Sequence, residues 1–170
     1  MKGHVILSHG MESGPNATKV AALAEVAEQL GWRHTRPDYR DLDAAHDPAL
    51  IGARIARLRE HARDGERLVL AGSSMGAFIS GFASIDLPCA GLFLMALPLR
   101  IPGYAPEFAA AAVPSVLLHG WDDELCPVDG VRAFAASRRD TLILVNDSHR
   151  LSAHVHAVAE QFRLFLLSLG

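Results

Sequence analysis

Gly72-Ser73-Ser74-Met75-Gly76 is the stretch of this chain whose residue types and spacing could do covalent chemistry. It fits the pattern Gly-x-Ser-x-Gly, in which the central serine can act as a nucleophile if the chain turns sharply around it. The bare pattern is cheap: with Gly and Ser each at roughly 7% of an average chain, about one chain in fifteen of this length holds a copy by chance. Context lifts it. Leu68-Val69-Leu70-Ala71 suits a buried parallel strand and a helix-like run follows Gly76, so Ser74 falls at a strand-to-helix elbow. There the serine must adopt a strained backbone that pushes its hydroxyl out above the sheet, and only small residues two places before and after can clear it. Gly72 and Gly76 occupy those places.

A serine hydroxyl is a poor nucleophile until a base removes its proton, and the base must in turn be held by a carboxylate. The candidates follow in the order Ser74, Asp123, His149. Each also has a plainer account. Ser74 would serve as a small residue in a tight turn, Asp123 as a helix cap or solvated residue beside Asp122 and Glu124, and His149 as one of nine histidines in the chain, on a surface loop.

The elements that must position these groups can be read in order. His4 to Ser8 is a short apolar strand ending in His9-Gly10-Met11, and Val20, Leu23, Ala27 and Leu30 recur at helical spacing before Gly31. Trp32 to Tyr39 is a weaker, polar strand suited to an edge. Asp47-Pro48 is a good helix start, with Ile51, Ile55 and Leu58 as the buried stripe. Phe78, Phe82 and Ile85 are the expected stripe of the helix after Ser74, and Cys89 to Leu97 reads as a strand buried on both faces. Pro98, Pro102, Pro106 and Pro114 mark an irregular stretch. Ser115 to His119 is a strand, Val128, Val131 and Phe134 suggest a short helix, and Thr141 to Val145 makes the last strand. Val155, Val158, Phe162, Phe165 and Leu169 give the most regular helix. Strands alternating with helices imply an α/β fold, a parallel sheet doubly wound with helices on both faces, whose ligands collect at the carboxyl ends of the strands. Every polar landmark named above follows a strand. Residues 1–170 are expected to form one domain.

Composition narrows the function. A net charge of -3 and the lack of a basic cluster with interleaved aromatics argue against nucleic acid as a partner. All of the 16 cationic residues except Lys2 and Lys19 are arginine, from which no function follows. Cys89 and Cys126 cannot make a disulfide framework and no signal peptide is evident, so a cytoplasmic location is the expectation. No apolar run approaches a membrane span.

The elbow, the order Ser74, Asp123, His149 and the His9-Gly10 turn together resemble the alpha/beta-hydrolase superfamily over nearly the whole chain. His119-Gly120-Trp121-Asp122-Asp123 resembles the His-Gly-x-x-Asp turn in which the family carries its acid, which favours Asp123 over Asp122. The glycines that often precede the family's histidine are replaced here by Asn146-Asp147-Ser148. The resemblance implies an oxyanion hole made by the backbone amides of Met11 and Met75, with no cofactor and no metal. The strands that open many members have no counterpart, which implies a minimal six-stranded sheet in the order 2-1-3-4-5-6. No helical insert lies between Leu97 and Ser115, so no cap domain or lid is expected, and an open mouth favours small ester groups over long lipid chains.

The function so implied is a serine carboxylesterase or thioesterase working through an acyl-enzyme, with a small-molecule ester or thioester as partner and activity rising as His149 loses its proton. Two other classes remain open: a protein-interaction module on a hydrolase scaffold, and a phosphate or nucleotide binder using Gly10 to Pro15 at a helix entrance. The second lacks the Gly-Lys-Ser/Thr and Gly-x-Gly-x-x-Gly signatures. Asp38 and Tyr39 are expected in a solvated loop, His9 and His4 as structural residues, and His154 and His156 as solvated or packing residues of the last helix.

Overall fold

A computed structural model describes residues 1–170. Six strands form a single parallel sheet: β1 (His4–Ser8), β2 (Arg33–Thr35), β3 (Leu68–Ser73), β4 (Gly91–Met95), β5 (Ser115–Gly120) and β6 (Thr141–Val145), in the spatial order β2-β1-β3-β4-β5-β6. The order and the doubly wound α/β architecture are those expected of a minimal alpha/beta-hydrolase fold. Successive strand residues point to opposite faces, so each strand serves two cores. Val5 and Leu7 of β1 join one apolar cluster and Ile6 joins the other.

The helices complete those cores. α1 (Thr18–Gln29) and α6 (Val155–Ser168) cover the face reached by Val5, Phe93 and Leu118. α3 (Ile51–Glu60), α4 (Met75–Asp86) and α5 (Val128–Arg138) cover the other; α2 (Arg40–Asp43) is a single turn in the loop after β2. Asp47 caps as its type suggests, its side chain accepting from the Ala49 amide, and the first turn Pro48–Leu50 is a 3-10 helix that runs into α3.

Several expectations need correction. Ile85 is 54% exposed, because α4 lies so close to the sheet that its buried face is a stripe of small residues, Gly76, Ala77, Ser80 and Ala83 among them. Phe78 is fully buried as expected, and it and Phe82 meet Tyr104 and Phe108. β4 is shorter than Cys89 to Leu97, the second strand covers only Arg33–Thr35, and α5 runs longer than a short helix.

Tyr39 is fully buried rather than solvated. Its hydroxyl lies 3.0 Å from Ser8 Oγ, and the Arg54 guanidinium stands 4.9 Å from its ring centroid. Arg54 is itself 2% exposed and forms an ion pair with the buried Asp43. Burial pushes the Arg54 guanidinium down to about 10, which still leaves it charged at neutral pH. The pair fastens α2 and the loop after β2 to α3, and so holds Tyr39 against the end of β1. Asp43→Ala strands that charge and is expected to cost about 3–5 kcal/mol, whereas the double variant Asp43→Leu/Arg54→Met, which removes both buried charges, costs less. Urea unfolding of the two variants checks the order; an equal loss would show that the charge is not what matters.

Candidate active site

Parallel register brings the strand ends to one edge: Ser8 pairs with Gly72, Ser73 with Met95 and Gly120 with Val145. The loops leaving that edge bring three side chains together. Ser74 Oγ lies 2.9 Å from His149 Nε2, and His149 Nδ1 lies 2.8 Å from Asp123 Oδ2. An ionised carboxylate only accepts, so Nδ1 carries the proton and the bare Nε2 accepts from the hydroxyl. The Asp122 side chain is exposed and outside this chain of bonds, while its amide donates to the Asp147 carbonyl at 3.1 Å.

Ser74 sits at φ 55° and ψ −118°, a backbone region that L residues avoid at a cost of about 1–3 kcal/mol. Its amide donates to Met95 O and its carbonyl accepts from Phe78, which locks the turn. The flanking glycines are steric necessities. A Cβ on Gly72 would collide with the backbone of Gly76, and one on Gly76 would collide with the Ser8 carbonyl.

The Asp123 carboxylate has no unused face. Oδ1 accepts from the Leu125 and Cys126 amides at 2.9 and 2.7 Å, while Oδ2 meets His149 and lies 3.3 Å from His119 Nε2. Burial alone would raise its pKa, but the hydrogen bonds from the His149 ring and these amides outweigh it and hold the group below the ordinary carboxylate range. Asp123 is neither solvated nor the cap of α5, whose N-cap is Pro127; it is buried, and its contacts are the Leu125 and Cys126 amides and the His149 ring.

His149 rides on a stitched loop. Asp147 Oδ1 accepts from the Ser148 amide, and Oδ2 accepts from the Ala153 amide and from His154 Nδ1 at 2.8 Å. His154 thus stands in a 3-10 turn before α6 and ties the loop, rather than solvating or packing the helix. Glu124 accepts from the His149 amide at 3.2 Å, and Lys19 donates to Arg150 O. Glu124 and Asp147 went unread as supports because each lies beside a more conspicuous candidate. Gly120 lets the loop pass: a Cβ there would fall on the Asp147 carbonyl and 2.7 Å from that of Ser148.

On the opposite side, His9 is buried with Nδ1 2.7 Å from Gly10 O, while its Nε2 accepts from the Tyr39 amide at 3.0 Å. Burial lowers the His9 pKa, in keeping with a neutral ring whose Nδ1–H donates. In a trans peptide C=O and N–H point in opposite directions, so fixing the Gly10 carbonyl also fixes the Met11 N–H. Neither that N–H nor the Met75 N–H, in the free first turn of α4, has an acceptor within the protein. The Met75 side chain is buried in the core, whereas Met11 is 37% exposed at the cleft.

Asp123, Cys126 and His149 also bring possible metal-binding atoms within 4.8 Å of one another. The set is a poor cation site. Its carboxylate and imidazole are bonded to each other, and burial, reinforced by Asp123 and Glu124, pushes the Cys126 thiol up to about 12, so it stays protonated.

No protein-family model matches the chain, and no curated protein matches it. Among solved structures, a protein of Xanthomonas campestris pv. campestris assigned to the alpha/beta hydrolase superfamily is 48% identical, with 98% of this chain and 99% of that one covered at a TM-score of 0.91. The chain belongs to the alpha/beta-hydrolase superfamily. Est1E of Butyrivibrio proteoclasticus (17% identical, 98% and 88% covered, TM-score 0.77) and an alpha-beta serine hydrolase homologue of Coxiella burnetii (23% identical, 98% and 86% covered, TM-score 0.68) share its fold.

In this alpha/beta-hydrolase fold, Ser74 and His149 open onto a cleft of about 710 Å³ that also exposes Gly10, Met11, Lys19 and Arg150. No helix is long and apolar enough to cross a membrane. If the position of the His149 loop matters, Gly120→Ala should slow covalent labelling of Ser74 by a fluorophosphonate on the order of a hundredfold while helical content is retained. Unchanged labelling would show that the loop need not pass over Gly120.

Proposed function

We propose that this superfamily member is a serine hydrolase that cleaves small carboxylic esters or thioesters through an acyl-enzyme. The observation that carries the reading is the continuous hydrogen-bonded chain from Ser74 Oγ through His149 to the fully bonded Asp123 carboxylate. His149 takes the Ser74 proton as Oγ attacks the carbonyl carbon, and the amides of Met11 and Met75 receive the oxyanion. The protonated ring then gives that proton to the leaving oxygen or sulfur. Water, deprotonated by the same ring, attacks the acyl-enzyme and releases the acid. Asp123 keeps the imidazole in the tautomer with Nε2 bare and stabilises its charged form.

Two further supports bear on the oxyanion. The Met11 N–H is held by the His9–Gly10 bond and left without a protein acceptor, and the Met75 N–H stands at the positive end of the α4 dipole. With no acceptor inside the protein, both N–H groups are free to donate to a developing alkoxide.

Ser74→Ala should abolish fluorophosphonate labelling and lower nitrophenyl acetate hydrolysis by roughly 10⁴-fold or more, and Asp123→Asn should lower it by roughly 10⁴-fold by presenting the wrong tautomer. Labelling that survives Ser74→Ala would overturn the reading; a chain that never labels would be a scaffold without turnover.

The sign of the pH dependence follows from the same contacts. A protonated His149 cannot accept the Ser74 proton, so kcat/KM falls as pH drops, and the depressed Asp123 pKa keeps that carboxylate ionised through the range in which a histidine titrates. The acid limb should therefore show one ionisation, with slope one in a plot of log kcat/KM against pH. A slope of two, or a rate flat from acid to alkaline pH, would contradict these assignments.

A further inference from the structure

We propose that an apolar cavity beside the Ser74 cleft receives the acyl group, so that the substrate is an ester or thioester of an apolar medium-chain or aryl acid; this rests on the serine-hydrolase reading above. The cavity has a volume of about 520 Å³. Leu97, Leu99 and Phe108, together with Val131 and Phe134 from α5, line it, and the Phe108 and Phe134 rings meet with centroids 5.2 Å apart. Leu125 lines both this cavity and the cleft of Ser74, and at 69% exposure its side chain is a low divider rather than a packed wall.

Location ties the cavity to the nucleophile. Ser74 donates its amide to Met95 O, the last carbonyl of β4, and the cavity begins two residues further along the same chain at Leu97. Its lining includes Leu125 and Cys126, whose amides hold Asp123. The two hollows thus meet at Leu125, two residues after the acid.

Chemistry assigns each hollow its half of the substrate. The tetrahedral carbon formed on Ser74 has four substituents: Oγ, the oxyanion, the leaving group and the acyl chain. His149 must reach the leaving atom to protonate it, and His149 borders the cleft with Lys19 and Arg150 but not the apolar cavity. The alcohol or thiol therefore departs through the polar cleft. With the oxyanion turned to the amides of Met11 and Met75, the acyl chain takes the remaining direction, toward Leu125 and beyond it.

The lining selects against polar acids. The charged side chains at the cavity, Arg100 and Glu107, are exposed at its rim and paired with each other at 2.5 Å. Neither is left to meet a charged acyl tail. A methylene that leaves water for such a lining should raise kcat/KM about fourfold, provided it is buried in the transition state.

The test is a series of nitrophenyl acetate, butyrate, hexanoate and benzoate with the full chain, in wild type and in two variants that change cavity size. Gly130 lies within α5 with helical backbone, and a Cβ there would sit 3.3 Å from Leu99 Cδ1, so Gly130→Leu projects into the cavity while favouring the helix. Phe134→Ala widens it. Wild type is expected to gain about fourfold in kcat/KM per methylene toward hexanoate. Gly130→Leu should cut the hexanoate-to-acetate ratio by about tenfold or more, and Phe134→Ala should move the preference toward longer chains. A flat wild-type series, or a ratio that neither variant alters, overturns the proposal while leaving Ser74 as nucleophile. Failure to cleave any ester, together with absent labelling of Ser74, overturns the serine-hydrolase reading and the assignment of this cavity with it.

Discussion

Everything at the carboxyl edge of the sheet depends on how closely α4 approaches β1. The first turn of α4 passes so near the end of β1 that Gly76 has no room for a Cβ against the Ser8 carbonyl, and the chain between β3 and α4 must reverse within Ser73 to Met75. The reversal forces Ser74 to positive φ, held by bonds to Met95 O and from the Phe78 amide. A single backbone compression therefore does three things: it lifts the Ser74 hydroxyl, sets the free Met75 N–H beside it, and brings the β1 loop within reach of both. A Cβ on Gly10 would stand 3.5 Å from that of Ser74, which measures how close the two loops run.

The groups around that elbow are held by polar contacts whose partners are themselves buried, and these fall into two chains. One runs from Arg54 and Asp43 to Tyr39, then through the Tyr39 amide to His9 and on to the Gly10 carbonyl. The other runs from the Leu125 and Cys126 amides through Asp123 to His149 and Ser74. In each, a histidine is kept in one tautomer by an acceptor on one nitrogen and a donor on the other. An imidazole bonded this way cannot rotate without breaking two bonds at once, so geometry is retained without a large insert to clamp it. Of the two rings, only His149 faces a side-chain hydroxyl, that of Ser74.

How much of this was legible in the sequence depends on whether a residue acts locally or through a distant partner. Ser74 could be read from five residues, because the elbow is a local steric problem that Gly72 and Gly76 solve. The sheet order and the alternation of elements followed from apolar runs and from the resemblance those motifs carry. Tyr39 was misplaced because nothing within its own loop marks it: its burial comes from Ser8, His9 and Arg54, each far along the chain. Arg54 itself lies on the stripe of Ile51, Ile55 and Leu58, and its position among them was the available signal that an arginine is turned inward. Ile85 failed for the opposite reason. Helical spacing places Ile85 on the stripe of Phe78 and Phe82, but α4 buries Ala77, Ser80 and Ala83 together with Phe78 and Ile79, and Ile85 lies off that face.

The stretch between β4 and β5 shows what a short chain does in place of a cap domain. It has little regular structure, yet it is not free to open. The Ala111 amide donates to Ser84 Oγ, Arg138 donates to the carbonyls of Ala110 and Ala111, and the Phe108 ring sits in a gap over Gly81 that a Cβ there would fill. Phe108 also packs against Phe78, Phe82 and Phe134, so the stretch is bonded and packed to both α4 and α5. Moving it would break those hydrogen bonds and uncover an aromatic cluster in the same step, and each lost aromatic contact adds to the cost of the exposed area. A wall anchored in that way sets the width of the space beside Leu125 before any substrate arrives. The shape of that space is therefore set by the side chains that line the anchored stretch, and no closing motion is needed to assemble it.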